Sequence, residues 1–111
     1  MSSFSAIISK DAKLDIKSAS SYIEFTLHNP SATDSLLNEL NKEIRALEDN
    51  PFISAVVDDP FFKPVGLRFS IIKNYLLFYT VSPQEKTITI LRFLYGRRNW
   101  QTILRQSFTV K

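Results

Sequence analysis

The fold is decided by residues 65–95, which read VGLRFSIIKNYLLFYTVSPQEKTITILRFLY. This stretch contains three runs rich in β-branched and aromatic residues, at 65–72, 75–81 and 87–95. Short turn segments separate the runs, so the pattern predicts three strands in an antiparallel meander. Apolar residues alternate with others in the first run, and we therefore expect Arg68 and Ser70 to point away from the helices that cover the sheet.

The residues before the meander predict a strand and a first helix. Residues 3–8 are short and partly alternating, which is typical of a strand. Apolar residues then recur every three or four positions and predict one buried stripe on a helix. The stripe contains Ala12, Ile16, Ala19, Ile23 and Leu27. Asn29 and Pro30 end this helix and begin the next, because Asn is a good N-cap and Pro suits the first helical position.

A second helix is predicted over residues 30–48, followed by a long connection with turns over residues 51–64. Its predicted core face consists of Thr33, Leu36, Leu37, Leu40, Ile44 and Leu47. Two amphipathic helices so close in sequence form an antiparallel hairpin that needs a sheet to cover its apolar stripe. We therefore predict an α+β fold of order β-α-α-β-β-β, with a helical hairpin packed on one face of a small, mainly antiparallel sheet, in one domain over residues 1–111.

The composition excludes several chemistries. The 111 residues include no Cys and one His, which removes disulfide frameworks, cysteine nucleophiles and most zinc sites. No cluster of His, Asp and Glu has ligand spacing, so we expect neither a metal nor a cofactor. No apolar run approaches the roughly 18–20 residues that span a bilayer, and no basic segment precedes the short apolar patch near the N-terminus. We expect a cytoplasmic protein without a membrane contact.

The charge is divided between the two halves of the chain. Residues 1–62 hold five Lys and Arg against ten Asp and Glu, a balance of −5, whereas residues 63–111 hold nine against one, a balance of +8. The basic half contains the predicted meander and the C-terminal residues after it. This asymmetry favours a basic surface that meets an anion or an acidic partner, and the alternative is ordinary solvation of strands and loops.

A family resemblance rests on the string ILRFLYGRRNW at residues 90–100, where the last strand ends in a Tyr/His-Gly-x-Arg-Asp/Asn-hydrophobic motif. The hairpin NYLLFY at residues 74–79 also matches. So does a helical frame that consists of Ala12, Asp15, Ile16, Tyr22, Ile23, Leu27, Asn29 and Pro30. With its element order, nearly the whole chain resembles the RelE/ParE superfamily, the small bacterial toxins of type II toxin–antitoxin modules.

The resemblance implies a growth-inhibiting toxin that a cognate antitoxin neutralises. RelE-like members resemble ribosome-dependent ribonucleases that cut mRNA, whereas ParE-like members resemble inhibitors of DNA gyrase that do no chemistry of their own.

Cleavage of RNA through the 2′-hydroxyl needs a base, an acid and cations. The matching positions on the first two meander strands are Leu67, Phe69 and Leu76, which transfer no proton. No Tyr follows the final basic position, and the indole of Trp100 cannot act as an acid. The ParE-like function is therefore favoured.

The candidate target-binding residues are Arg68, Arg92, Tyr95, Arg97, Arg98 and Trp100. Catalytic residues are not assigned; for a RelE-like nuclease they would be Arg97, Arg98 and Tyr95, with Tyr95 or Lys73 as acid or base. A third alternative is a degenerate member that only binds its antitoxin. Structural roles are alternatives too, with Trp100 as a core anchor and the strand arginines in ion pairs.

The expected partner in every case is an antitoxin in a toxin–antitoxin hetero-oligomer, usually through a short acidic segment that folds on binding. The further partner is DNA gyrase, or the ribosome and mRNA in the nuclease alternative.

Overall fold

The computed structural model describes residues 3–109. The predicted domain limits include residues 1–2 and 110–111, which lie outside this range. The strands are β1 (Ser5–Ile8), β2 (Ala55–Val56), β3 (Arg68–Ile72), β4 (Tyr75–Ser82) and β5 (Thr87–Tyr95). The helices are α1 (Lys10–Ser21), α2 (Pro30–Asp49) and α3 (Trp100–Thr109), with a π-helical segment at Tyr22–Thr26 and a 3₁₀ turn at Lys63–Val65. Within the described range, no helix has both the length and the apolar character needed to cross a membrane.

The five strands form one sheet in the order β1-β5-β4-β3-β2. β3, β4 and β5 form the predicted antiparallel meander, and β1 pairs with β5 in parallel. The α+β fold and the mainly antiparallel sheet are confirmed. The strand β2 is an addition, because the segment 51–64 was predicted to contain only turns; Ala55 and Val56 pair with Phe69 and Arg68 at the sheet edge.

The helical hairpin begins and turns where its sequence predicts. The Ser9 hydroxyl accepts a hydrogen bond from the Ala12 amide and caps α1, and the Asn29 side chain caps α2 with Pro30 at the first helical position. The predicted stripe on α1 is wrong at its end, however. The helix widens into the π segment after Ser21, the register shifts, and Leu27 is 54% exposed instead of buried.

Apolar side chains pack on both faces of the sheet. The first core lies between the sheet and the hairpin; it includes Ala12, Ala19, Leu36, Leu40, Leu47, Leu77, Tyr79, Ile88, Ile90 and Phe93. The second core lies on the other face and includes Val57, Phe62, Leu67, Phe78, Leu94 and Leu104. Helix α3, which the predicted element order did not include, covers this second core.

Two expectations about the first meander strand are wrong. Gly66 has a φ of 68°, the left-handed region that glycine tolerates, and the 3₁₀ turn before it includes Val65; β3 therefore begins at Arg68. Arg68 and Ser70 also do not point away from the helices: the side chain of Arg68 lies on the same face of the strand as that of Ser70, and Ser70 is buried. It shares its face with Ile72, which lies in the first core, and its hydroxyl is 2.8 Å from the Ser54 hydroxyl.

Candidate functional site

A groove of about 760 Å³ opens at one end of the sheet, between the hairpin and the ends of the central strands. Helix α1, the π segment and the start of α2 form one wall, and the β3–β4 turn with the end of β5 forms the other. Its lining includes Tyr22, Leu27, Lys73, Tyr75, Tyr95 and Arg98. Part of this lining is exposed and apolar, with Tyr22 at 52% and Leu27 at 54% exposure.

The floor of the groove is aromatic. The Tyr75 ring stacks on Phe93 at 4.8 Å between centroids with the planes 10° apart, and Tyr95 meets the Tyr75 ring edge-on at 5.6 Å. Burial raises the pKa of Tyr75 above its usual value, and electrostatic repulsion from Tyr95 and then from Tyr22 raises it further. Tyr75 therefore stays protonated at neutral pH and can donate a hydrogen bond to an acceptor in the groove.

One end of the groove is basic. Lys73 and Arg98 line it, and Arg97 lines a shallower pocket of about 290 Å³ that shares Lys73, Tyr75 and Tyr95 with the groove. All three cations are exposed. Among residues 3–109, neither Arg97 nor Arg98 forms an ion pair within 4.0 Å. These guanidiniums are available to a carboxylate or phosphate of a partner.

A tight turn holds the two arginines beside Tyr95. The Gly96 amide donates to the Asn74 carbonyl at 2.8 Å, and the Arg98 amide donates to the Tyr95 carbonyl at 3.0 Å. A Cβ atom at Gly96 would lie 3.2 Å from the Asn74 oxygen, so this close approach of two backbones favours glycine. The Tyr-Gly-Arg-Arg motif thus links the end of β5 to the β3–β4 turn through backbone hydrogen bonds and a close backbone contact.

Three other predicted target-binding residues lie outside the groove and have packing roles. The Arg68 guanidinium donates to the carbonyls of Phe52 and Ser54 and lies 5.2 Å from the Phe52 ring centroid. Arg92 makes a bidentate ion pair with Asp15 at 2.7 and 2.9 Å.

Trp100 packs against two aromatic rings of the second core. Its ring lies 5.1 Å from Phe78 and 6.3 Å from Phe62. Because of these contacts, Trp100 helps to hold α3 on the sheet. This is the structural alternative given for Trp100 from the sequence, a core anchor.

The residues at the nuclease-like positions of the first two meander strands are packed in the second core. Leu67 is fully buried there, and Phe69 and Leu76 pack against the same cluster. The proton-transferring groups near Arg97 are Lys73, Tyr75 and Tyr95, which line the shallow pocket with it. In the described part of the chain, no three His, Asp or Glu side chains are placed to hold a metal ion.

Tyr22 and Tyr75 were not among the predicted site residues, although they lie in the helical frame and the hairpin that carry the family resemblance. Tyr22 begins the π segment, and Tyr75 comes directly after the predicted turn at Lys73 and Asn74. A signal for Tyr75 was available, because a strand residue directly after a tight turn lies opposite the end of the next strand. Tyr75 indeed pairs with Tyr95 across β4 and β5.

Three comparisons relate the chain to known proteins. Residues 6–100 match the family model described as ParE toxin of the type II toxin–antitoxin system parDE. The chain is similar in fold to a structure of the chromosomal ParDE toxin–antitoxin system from P. aeruginosa, with a TM-score of 0.66 and 16% identity over 84% of this chain and 96% of that one. It is also similar to the RelBE2 toxin–antitoxin complex from Mycobacterium tuberculosis, with a TM-score of 0.58 and 14% identity over 83% and 96% of the two chains. No curated protein matches.

Proposed function

Because this chain belongs to the ParE toxin family of type II toxin–antitoxin systems, we propose that it arrests growth by binding and inhibiting DNA gyrase. The target-binding surface is the basic end of the groove, which we define as Lys73, Tyr95, Arg97 and Arg98. The toxin does no chemistry of its own and acts in the cytoplasm, where gyrase is found.

The observation that carries this proposal is the pair Arg97 and Arg98, which is exposed beside Tyr95 and has no intramolecular ion pair among residues 3–109. Adjacent guanidiniums without an internal partner bind carboxylates or phosphates with directional, charge-assisted hydrogen bonds. An aromatic ring beside them adds a well-packed anchor, the combination that dominates many protein interfaces. Gyrase bound to DNA presents both kinds of anion.

The apolar residues at the nuclease-like positions support inhibition by binding. Leu67, Phe69 and Leu76 are held in the second core and can neither accept nor donate a proton. Purified toxin should therefore inhibit supercoiling by gyrase and cause double-strand cleavage complexes to accumulate. If toxin in stoichiometric excess leaves both supercoiling and cleavage unchanged, the proposal fails.

A RelE-like nuclease is the second candidate, because Lys73, Tyr95 and Arg97 line one shallow pocket. Such a site would use the guanidinium on the phosphorane and Tyr95 or Lys73 for proton transfer. Primer extension on translated mRNA after induction separates the two candidates. Codon-phased cuts that disappear in an Arg97→Ala, Arg98→Ala double variant would favour the nuclease.

The remainder of the groove is proposed as a seat for the cognate antitoxin in a hetero-oligomer. Its floor of Tyr75 and Phe93 and its exposed Leu27, which lie next to the basic end, suit an amphipathic acidic segment that folds on binding. Leu27→Asp should weaken antitoxin binding by about 100-fold, since it places a charge on an apolar contact.

Leu14→Asp is the matched control, because Leu14 is equally exposed at 54% but lies on α1 outside the groove. Titration of labelled toxin with antitoxin would measure both variants. Equal binding by the two would place the antitoxin elsewhere. A toxin whose overexpression without antitoxin leaves growth normal would instead indicate a member that only binds its antitoxin.

A further inference from the structure

The strand β5 contains an irregularity that changes which of its side chains face the groove. Ile90 pairs with Tyr79 and Arg92 pairs with Phe78, so Leu91 is an extra residue in the ladder. This is a β-bulge, which locally bends a strand and redirects the side chains beyond it.

The consequence appears in the positions of the side chains along β5. Ile88 and Ile90 lie in the first core before the bulge. Phe93 lies in the same core after it, and Tyr95 lines the groove on the same side as Tyr75. Strict alternation would place Tyr95 on the opposite face from Ile88 and Ile90. The bulge is therefore what brings Tyr95 to the groove.

Helix α1 and its N-cap residue supply hydrogen bonds to β5 beyond the end of β1. The ladder between β1 and β5 ends at Ile90. Beyond that point the Ser9 hydroxyl donates to the Leu91 carbonyl at 3.0 Å, and the Phe93 amide donates to Asp15 Oδ2 at 2.9 Å. These bonds satisfy one backbone group at the bulge and one directly after it.

The carboxylate of Asp15 also binds the residue between them. Arg92 Nε donates to Asp15 Oδ2 at 2.7 Å and Arg92 Nη2 donates to Oδ1 at 2.9 Å, and the two side chains are only 18% and 11% exposed. This hydrogen bonding raises the pKa of Arg92, so the guanidinium stays charged. One carboxylate thus holds two consecutive residues of β5 directly after the bulge.

We propose that Ser9 and Asp15, which we call the clamp, are positioning residues that hold the β5 bulge and thereby keep Tyr95 in the groove beside Tyr75. Asp15 acts through Phe93, whose ring stacks on Tyr75, which in turn meets Tyr95. That Tyr95 then contributes to gyrase binding rests on the proposed function; that the clamp positions Tyr95 does not.

The direct test is the contact between the rings of Tyr75 and Tyr95, measured by NMR on full-length toxin with labelled tyrosines. Asp15→Ala should abolish this contact, because the Phe93 amide and the Arg92 guanidinium lose their acceptor. Asp15→Asn should retain part of it, since the amide oxygen still accepts from Phe93. Asp34→Ala, at an exposed acid of α2 outside the groove, should leave the contact unchanged.

If Asp15→Ala does not fold, Ser9→Ala carries the test, because it leaves Asp15 in place and removes the donor to Leu91. A folded Asp15→Ala or Ser9→Ala variant with the full wild-type ring contact would overturn the proposal and reduce the clamp to a stabilising role.

Gyrase inhibition by equal concentrations of folded protein is the second readout. Asp15→Ala should lose about tenfold in potency, the loss expected when an aromatic anchor leaves an interface. Loss of the ring contact with unchanged potency would remove Tyr95 from the target surface. If the wild type does not inhibit gyrase, the proposed function fails, and the NMR measurement still decides whether the clamp positions Tyr95.

Discussion

The second face of the sheet offers the sharpest test of the fold, through the substitution Leu104→Ala. Leu104 is fully buried in the second core and projects from α3 onto Phe62, Leu67, Phe78 and Leu94. Truncating a buried leucine costs about 2–5 kcal/mol, depending on how far the site can relax. We take a value near the middle of this range and expect a loss of about 3 kcal/mol in the free energy of unfolding.

Urea unfolding monitored by two probes measures this loss. Trp100 is the only tryptophan and begins α3, so its fluorescence reports on that helix, whereas far-UV circular dichroism reports on the whole chain. With a urea dependence of about 2 kcal/mol per molar, the midpoint should fall by about 1.5 M. Both probes should give the same midpoint, because α3 covers a core that the sheet shares.

Gln101→Ala is the matched control on the same helix, since Gln101 is exposed. It should change the unfolding free energy by less than about 0.5 kcal/mol. A Leu104→Ala variant in which only the fluorescence midpoint moves would refute the reasoning, since α3 would then unfold separately from the sheet.

Three further predictions concern single groups. Asn29→Ala removes the acceptor of the Ala32 amide at the start of α2 and should lower the unfolding free energy by about 1 kcal/mol in urea titration; an unchanged midpoint would contradict the capping role. Tyr79→Phe leaves the Pro51 carbonyl without its donor and should cost about 1–3 kcal/mol in the same assay; a neutral effect would refute that bond. Burial raises the pKa of Tyr75 and Tyr79 above 10.0, so both hold their protons more tightly when folded. Stability should therefore fall as the pH rises above 10.0, less steeply in Tyr79→Phe, and urea midpoints on both sides of that pH would check this.

The helical hairpin was predictable because its signals are local. Asn29 and Pro30 act through their own backbone geometry within one turn, and the core positions of α2 result from helical periodicity alone. The meander was predictable for the same reason, since Lys73 and Asn74 mark a turn between two runs rich in β-branched and aromatic residues.

The features that were missed depend on partners distant in sequence. The bulge at Leu91 is held by Ser9 and Asp15, about 80 residues away, so no local pattern indicates it. The ion pair between Arg92 and Asp15 was missed in the same way, because Asp15 lies on α1 and the only acid close to Arg92 in sequence is Glu85. The length of α3 depends on a second core that exists only once the sheet has formed.

The candidate site was predicted in part. Tyr95 and Arg98 meet in the groove and Arg97 lies beside them, as a shared motif leads one to expect. Tyr22 lines the same groove from the start of the π segment. The regular spacing of apolar residues on α1 does not predict this change of helical register. Of the basic half of the chain, Lys73, Arg97 and Arg98 lie together at one end of the sheet, whereas Arg68 and Arg92 lie outside the groove.

The central claim is that the basic end of the groove binds gyrase, and titration of gyrase supercoiling with toxin variants tests it most directly. The Arg97→Ala, Arg98→Ala double variant should lose at least about tenfold in inhibition, because two charge-assisted contacts are removed, and should keep the wild-type unfolding midpoint. Arg45→Ala, an exposed arginine of α2 outside the groove, should inhibit like the wild type. Full inhibition by a folded double variant would contradict the account.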